Sequence, residues 1–291
     1  MRTTITTSCM AACLLTVPAL LAPAFAETLP RDTCAKWETT QPERLIEACS
    51  EAIAIDAKAA WAYLNRGIAY AAIGKSDEEL ADYSKAIEID PWLVNAWQNR
   101  GVARFDRGEF ADAAGDFARA VAINTDPYAM LLLYLARTRS GASGTAELEA
   151  NVAKLSVAAN WPYAAIQLFL GRRTIPAVRS AAVTKEHRCE AQFYIGEWLL
   201  TVDKKAEALR PLRLAATLCS KGTVELNSTV AELKRLGADT TPLRPAPVRA
   251  SAPAARPANA AAPAANPAGG NTPPRRRPPA ARTAAPAAPP R

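Results

Sequence analysis

The chain contains one histidine, His187, in 291 residues. General acid–base chemistry would therefore fall to carboxylates. Those are spread singly along the sequence rather than gathered in a motif. There is no Gly-rich phosphate loop, no serine nucleophile elbow and no metal-ligand spacing. The sequence speaks for a non-catalytic protein without metal or cofactor. Four cysteines follow the first 26 residues: Cys34, Cys49, Cys189 and Cys219. An even number in an exported chain points to disulfides, and four cysteines allow three connectivities. A thiol oxidoreductase is the alternative that the cysteine count raises. His187 stands two residues from Cys189, so the two diverge on a helix and do not form a ligand pair.

What positions these residues is a repeat. Ala52-Ile53-x-Ile55-Asp56 recurs as Ala86-Ile87-x-Ile89-Asp90 and as Ala120-Val121-x-Ile123-Asn124, at a spacing of 34 residues. Asn65-Arg66-Gly67 recurs as Asn99-Arg100-Gly101, and Gly74 as Gly108. A period of 34 is that of a helix–turn–helix unit, which buries its apolar stripe only by stacking on neighbours. The expected fold is all-α: an α-solenoid of antiparallel helix pairs. Arg66 and Asp82 are 16 residues apart, as are Arg100 and Asp116. Facing helices would join each as a structural ion pair.

The two ends differ from this body. Arg2, an apolar stretch over 10–22 and Ala24-Phe25-Ala26 have the layout of a signal peptide over 1–26. Its apolar core is too short to span a membrane, which takes about 20 residues. Cleavage after Ala26 is expected, rather than lipidation at Cys13. Residues 240–291 hold 14 Pro, 18 Ala and 8 Arg, with no Asp or Glu. That composition cannot support a packed core and reads as a disordered Pro/Ala/Arg-rich tail. Without it, residues 27–239 carry 26 basic and 28 acidic residues, so the positive charge belongs to the tail. The tail is a spacer or a contact to an anionic cell-wall polymer or lipid headgroup. Export argues against nucleic acid. The mature chain is expected to be periplasmic or secreted and not transmembrane.

Residues 60–93 resemble the tetratricopeptide repeat family through Tyr63, Gly67, Tyr70, Tyr83, Ala86 and Pro91. Residues 94–127 do so through Trp97, Gly101, Ala113, Phe117 and Ala120, with the terminal proline late, at Pro127, as if after a short insertion. Glu79 stands where the family prefers a small residue. A degenerate repeat is expected over about 32–59, and divergent helical pairs over 128–239. The latter are Tyr128–Arg139 with Thr145–Val157, Trp161–Leu170 with Ile175–Val183, and Cys189–Thr201 with Lys205–Cys219; Val224–Leu236 closes the array. The order of regular repeats, Trp161-Pro162-Tyr163, Phe193-Tyr194-x-Gly196 and a final hairpin is similar to NlpI-type periplasmic tetratricopeptide proteins over roughly 60–236. That resemblance implies an adaptor that cradles an envelope protease or peptidoglycan hydrolases.

Register also suggests the disulfides. Cys49 stands 34 residues before Tyr83 and 68 before Phe117, aromatics expected to pack second helices on first. A Cys34–Cys49 bond would take their place in the truncated first repeat. Cys189 and Cys219 fall at the meeting ends of a helical hairpin. In tetratricopeptide proteins the first helix of each pair lines the concave face. The resemblance therefore places Trp61, Leu64, Asn65, Ile68, Asn95, Gln98, Asn99 and Val102 in a groove for a protein or peptide partner. Leu64, Ile68 and Val102 carry no charge, which disfavours a carboxylate clamp. Equally open is that Asn65 and Asn99 cap backbone groups and Trp61 is partly core.

Overall fold

The structure, a computed structural model, describes residues 30–36, 41–155 and 161–241. These residues form thirteen α-helices and no strand, so the protein is all-α over the described residues. Residues 1–26, where a signal peptide is expected, and all but the first two residues of the Pro/Ala/Arg-rich segment 240–291 lie outside them. No described helix is long and apolar enough to cross a membrane.

The helices follow the apolar stripes. In α2 (Pro42–Ile55) the buried residues are Leu45, Ala48, Cys49 and Ala52, a helical 3–4 spacing. α3 (Ala60–Ala72) and α4 (Ser76–Ile89) form the next pair, α5 (Val94–Arg107) and α6 (Phe110–Ile123) the one after. α5 ends at Gly108, whose φ of 83° suits a residue without Cβ. α1 (Pro30–Ala35) packs on α2, and each helix from α2 to α7 (Pro127–Arg139) packs on the next. In addition α1 touches α3, α3 touches α5 and α5 touches α7, so the odd-numbered helices form one layer. α7 is buried nearly all round, through Met130, Leu131, Leu132, Leu133, Leu135 and Ala136, and sits in the largest core cluster.

Two glycines explain the 34-residue period. A Cβ on Gly67 would lie 2.6 Å from the Tyr83 ring, and one on Gly101 would lie 2.7 Å from the Phe117 ring. Each aromatic of a second helix thus packs against bare backbone of the first. Gly196 repeats the device with Leu212, again at 2.6 Å, between α11 (Lys185–Thr201) and α12 (Lys205–Leu218). In the first pair a covalent link stands in its place. Cys34–Cys49 joins α1 to α2, and Cys189–Cys219 joins α11 to the end of α12.

Three expectations need correction. Pro127 does not terminate α6 after an insertion: α6 ends at Ile123, and Pro127 opens α7 with Asp126 as its cap. The connection is one residue shorter than that from Ile89 to Val94, because proline is favourable at a first helical position. The helix expected over Thr145–Val157 stops at Val152 as α8 (Thr145–Val152). There the Lys154 and Leu155 amides donate to the Asn151 and Val152 carbonyls, a tighter turn that ends the α-helical ladder. α11 begins at Lys185, because the Thr184 hydroxyl accepts from the His187 amide, so Cys189 lies in its second turn rather than at its start. α9 (Tyr163–Phe169), α10 (Ile175–Ala181) and α13 (Val224–Arg235) complete the set.

Candidate binding surface

The eight residues assigned to a groove lie on α3 and α5 in four pairs, each 34 residues apart. Most of their polar capacity is turned inward. The Asn65 side-chain amide donates to the Cys34 carbonyl at 2.9 Å, tying α3 to α1. Asn99 hydrogen-bonds the Tyr83 phenol, whose pKa burial raises. Gln98 donates to Asp126 at 2.8 Å, and Asp126 in turn caps α7. Leu64 is buried; Ile68, Val102 and Trp61 are half-buried and packed against core clusters, Trp61 against the one built on Cys34 and Cys49. Asn95 alone of the eight is exposed.

The Arg66–Asp82 and Arg100–Asp116 ion pairs form, each bidentate, with contacts of 2.7 and 2.8 Å in the first and 3.0 and 2.8 Å in the second. A partner unnoticed in the sequence completes them. Arg66 also donates to the Ser50 hydroxyl at 3.0 Å, and Arg100 to Ser84 at 3.1 Å. Ser50 and Ser84 belong to the preceding helix pair, so each arginine bolts one unit to the next. Their 34-residue spacing was the signal that could have revealed them. Arg66 further lies over the Tyr63 and Tyr70 rings, and Arg100 over Trp97. Trp92, 69% exposed, carries Arg119 at 5.4 Å from its ring.

The four assigned cysteines are all disulfide-bonded and buried, the sulfurs of α11 and α12 included. His187 stacks on Trp161, ring centroids 5.4 Å apart, and the Trp161 indole N–H donates to Glu190. No group of three or more His, Cys, Asp or Glu able to hold a metal occurs among the described residues.

A second polar cluster was not foreseen. Arg139 on α7 donates to Glu197 on α11 at 3.2 Å and to Glu232 on α13 at 3.0 Å. Arg235 on α13 pairs with Glu232 and donates to the Phe105 and Asp106 carbonyls at the end of α5. Both guanidiniums lie over the Phe110 ring, at 4.5 and 5.2 Å. Glu197 and Glu232 are fully buried. Burial pushes the Glu197 carboxyl up to about 7 and the Asp106 carboxyl up to about 7. Glu79, beside Asp106, is raised to about 8, first by burial and then by that neighbouring carboxylate.

No protein-family model matches the chain, and no curated protein sequence matches it.

Proposed function

We propose that this chain is a non-catalytic, exported scaffold of tetratricopeptide type that holds a protein or peptide partner against the layer formed by its odd-numbered helices. The observation that carries the reading is the repeated fastening of one unit to the next. Ser50–Arg66–Asp82 and Ser84–Arg100–Asp116 span successive helix pairs at the same offset, alongside the Gly67–Tyr83 and Gly101–Phe117 contacts. Stacked units of this kind present an extended face, a form suited to holding other macromolecules. Odd-numbered helices touch one another in series, so they are the more closely spaced layer, as expected on the inner side of a curved stack. Two buried disulfides fit an oxidising compartment such as the periplasm or the exterior.

Within that layer Trp61 and Asn95 occupy equivalent positions at the first turns of α3 and α5. Trp61 supplies a partly covered aromatic surface and Asn95 an exposed amide, a pairing suited to a peptide helix or extended segment. By the resemblance to NlpI-type proteins, the partner is an envelope protease or peptidoglycan hydrolase. The test is co-purification from an envelope extract with the wild type, the Trp61→Ala/Asn95→Ala double variant and an outward control, Glu88→Ala. Enrichment that the double variant loses and the control keeps supports the proposal. Equal recovery by all three contradicts it.

The eight arginines of 240–291, without one acidic residue, favour a second reading, contact with an anionic cell-wall polymer. Sedimentation with isolated sacculi that deletion of 242–291 leaves unchanged would remove it.

A further inference from the structure

The last helix does not simply extend the array. α13 packs on its neighbour α12 but also on α5 and α11, bridging members of the odd-numbered layer that are far apart in the chain. The α5 residue Val102 belongs to the same core as Leu226 and Leu233 of α13. α13 thus lies against α5, with Arg235 at the Phe105 and Asp106 carbonyls that end it. The contact is polar as well as apolar. Of the four buried residues of α13, Ser228, Thr229 and Glu232 are polar and only Leu233 is apolar. Beside the apolar contacts of Leu226, Leu233 and Leu236, such an interface depends on charges whose desolvation opposes its closure.

Those charges do not balance. Asp106, Glu197 and Glu232 supply three carboxyl groups; Arg139 and Arg235 supply two guanidiniums. One oxygen of Glu197 and one of Asp106 accept no hydrogen bond although both atoms are buried. A set of this composition, buried except for the partly exposed Arg235, reaches neutrality when one carboxyl carries a proton. We propose that α13 is a proton-linked strap: docked over α5 and α11 it retains a proton among Asp106 and Glu197, and it loosens when that proton passes to water. On release, Glu232 and Arg235 leave together with α13 as a hydrated pair. Arg139 is then free to pair with Glu197 alone, and Asp106 loses its Ser228 partner and becomes hydrated.

The surroundings hold the cluster in this state. From α4, Glu79 adds a further carboxyl beside Asp106, and Arg107 of α5 only partly offsets it. Arg107 is committed to Asp77 and Glu109 at the surface. Arg66 of α3 pairs with Asp82, and Arg100 and Arg104 of α5 pair with Asp116 of α6, so none of them is available to the cluster. α9 carries no charged residue, and Arg179 of α10 is exposed. Arg213 of α12 acts on Asp239, beyond the end of α13. The raised titration of Glu197 and Asp106, each to about 7, agrees with a retained proton.

The sign follows. In water these carboxyls titrate near 4.5 and 3.8; in the docked state they titrate near 7. Docking is therefore strongest below about pH 4 and weakens as pH rises to about 7, by up to tenfold per proton for each pH unit. The experiment is amide hydrogen exchange of the disulfide-bonded mature chain at pH 5.5 and 7.5, corrected for intrinsic rates. Protection over 224–235 should fall about tenfold or more at the higher pH, while α2 and α3 change far less. Glu197→Gln and Asp106→Asn, neutral at both pH values, should each flatten this dependence. Equal α13 protection at both pH values in the wild type overturns the proposal without recourse to a variant. So does a loss of protection shared equally by α2 and α3, or a wild-type dependence retained in both variants. The proposal stands or falls independently of whether the array carries a partner.

Discussion

Arg66 and Arg100 occupy equivalent positions, yet their carboxylates are not equally supported. Asp82 has one cation, Arg66, whereas Asp116 is held by both Arg100 and Arg104. The two aspartate side chains are 8% and 3% exposed, so a carboxylate stripped of its cation remains out of water. Arg66→Ala should therefore destabilise the fold by about 3 kcal/mol, in the range for an orphaned buried charge. Arg100→Ala should cost about 1–2 kcal/mol, because Arg104 remains. Denaturant unfolding of the two variants checks the order; equal losses or the reverse would contradict it. The ion pairs were legible because both partners recur at a fixed spacing. The fate of Asn65 was not, since nothing near it in sequence announces the Cys34 carbonyl 31 residues away. Arg139 is a stronger case: its partners lie 58 and 93 residues off and obey no period.

At the scale of the element, α1 has six residues and is too short to persist alone. It is fastened to α2 by Cys34–Cys49 and to α3 by Asn65. Closing 15 residues contributes roughly 3 kcal/mol in the chain-entropy account. Reduction, or Cys49→Ser, should expose Arg31 and Lys36 to trypsin while cleavage within α3 to α6 stays slow. Protection of both sites after reduction would show that α1 does not need the bond. The helices themselves were legible wherever a 3.6-residue stripe and a proline or glycine agreed. The start of α11 was missed because its signal is one hydroxyl, Thr184, capping an amide three residues on. The contact of α13 with α5 was missed for a different reason. Its buried face reads Ser228, Thr229, Glu232, Leu233, which resembles a solvated stripe until the opposing charges are placed.

For the whole molecule, four carboxyls raised by burial, Glu79, Asp106, Glu197 and Glu225, make stability depend on pH in an uncommon direction. Glu79 is raised to about 8, and Asp106 and Glu197 each to about 7. All four are protonated in both states below about pH 4 and lose protons first in the unfolded chain. Stability should thus decline from about pH 4.5 to about pH 8 and level off above that. Calorimetry should find Tm lower at pH 8 than at pH 5.5 by about 5 °C or more. A Tm that rises over that interval would contradict the assignment of these carboxyls.

The layer of odd-numbered helices is the proposed place for holding another molecule. Asn95 is the place to ask, being the exposed member of the eight and at the same register as Trp61. A photo-reactive residue at position 95, activated in the cell and compared with one at position 88 on the outward side of α4, followed by mass spectrometry, tests it most directly. The expected result is one dominant envelope protein joined from position 95 and not from position 88. Crosslinks of equal yield and identity from both positions, or none from position 95, would contradict it.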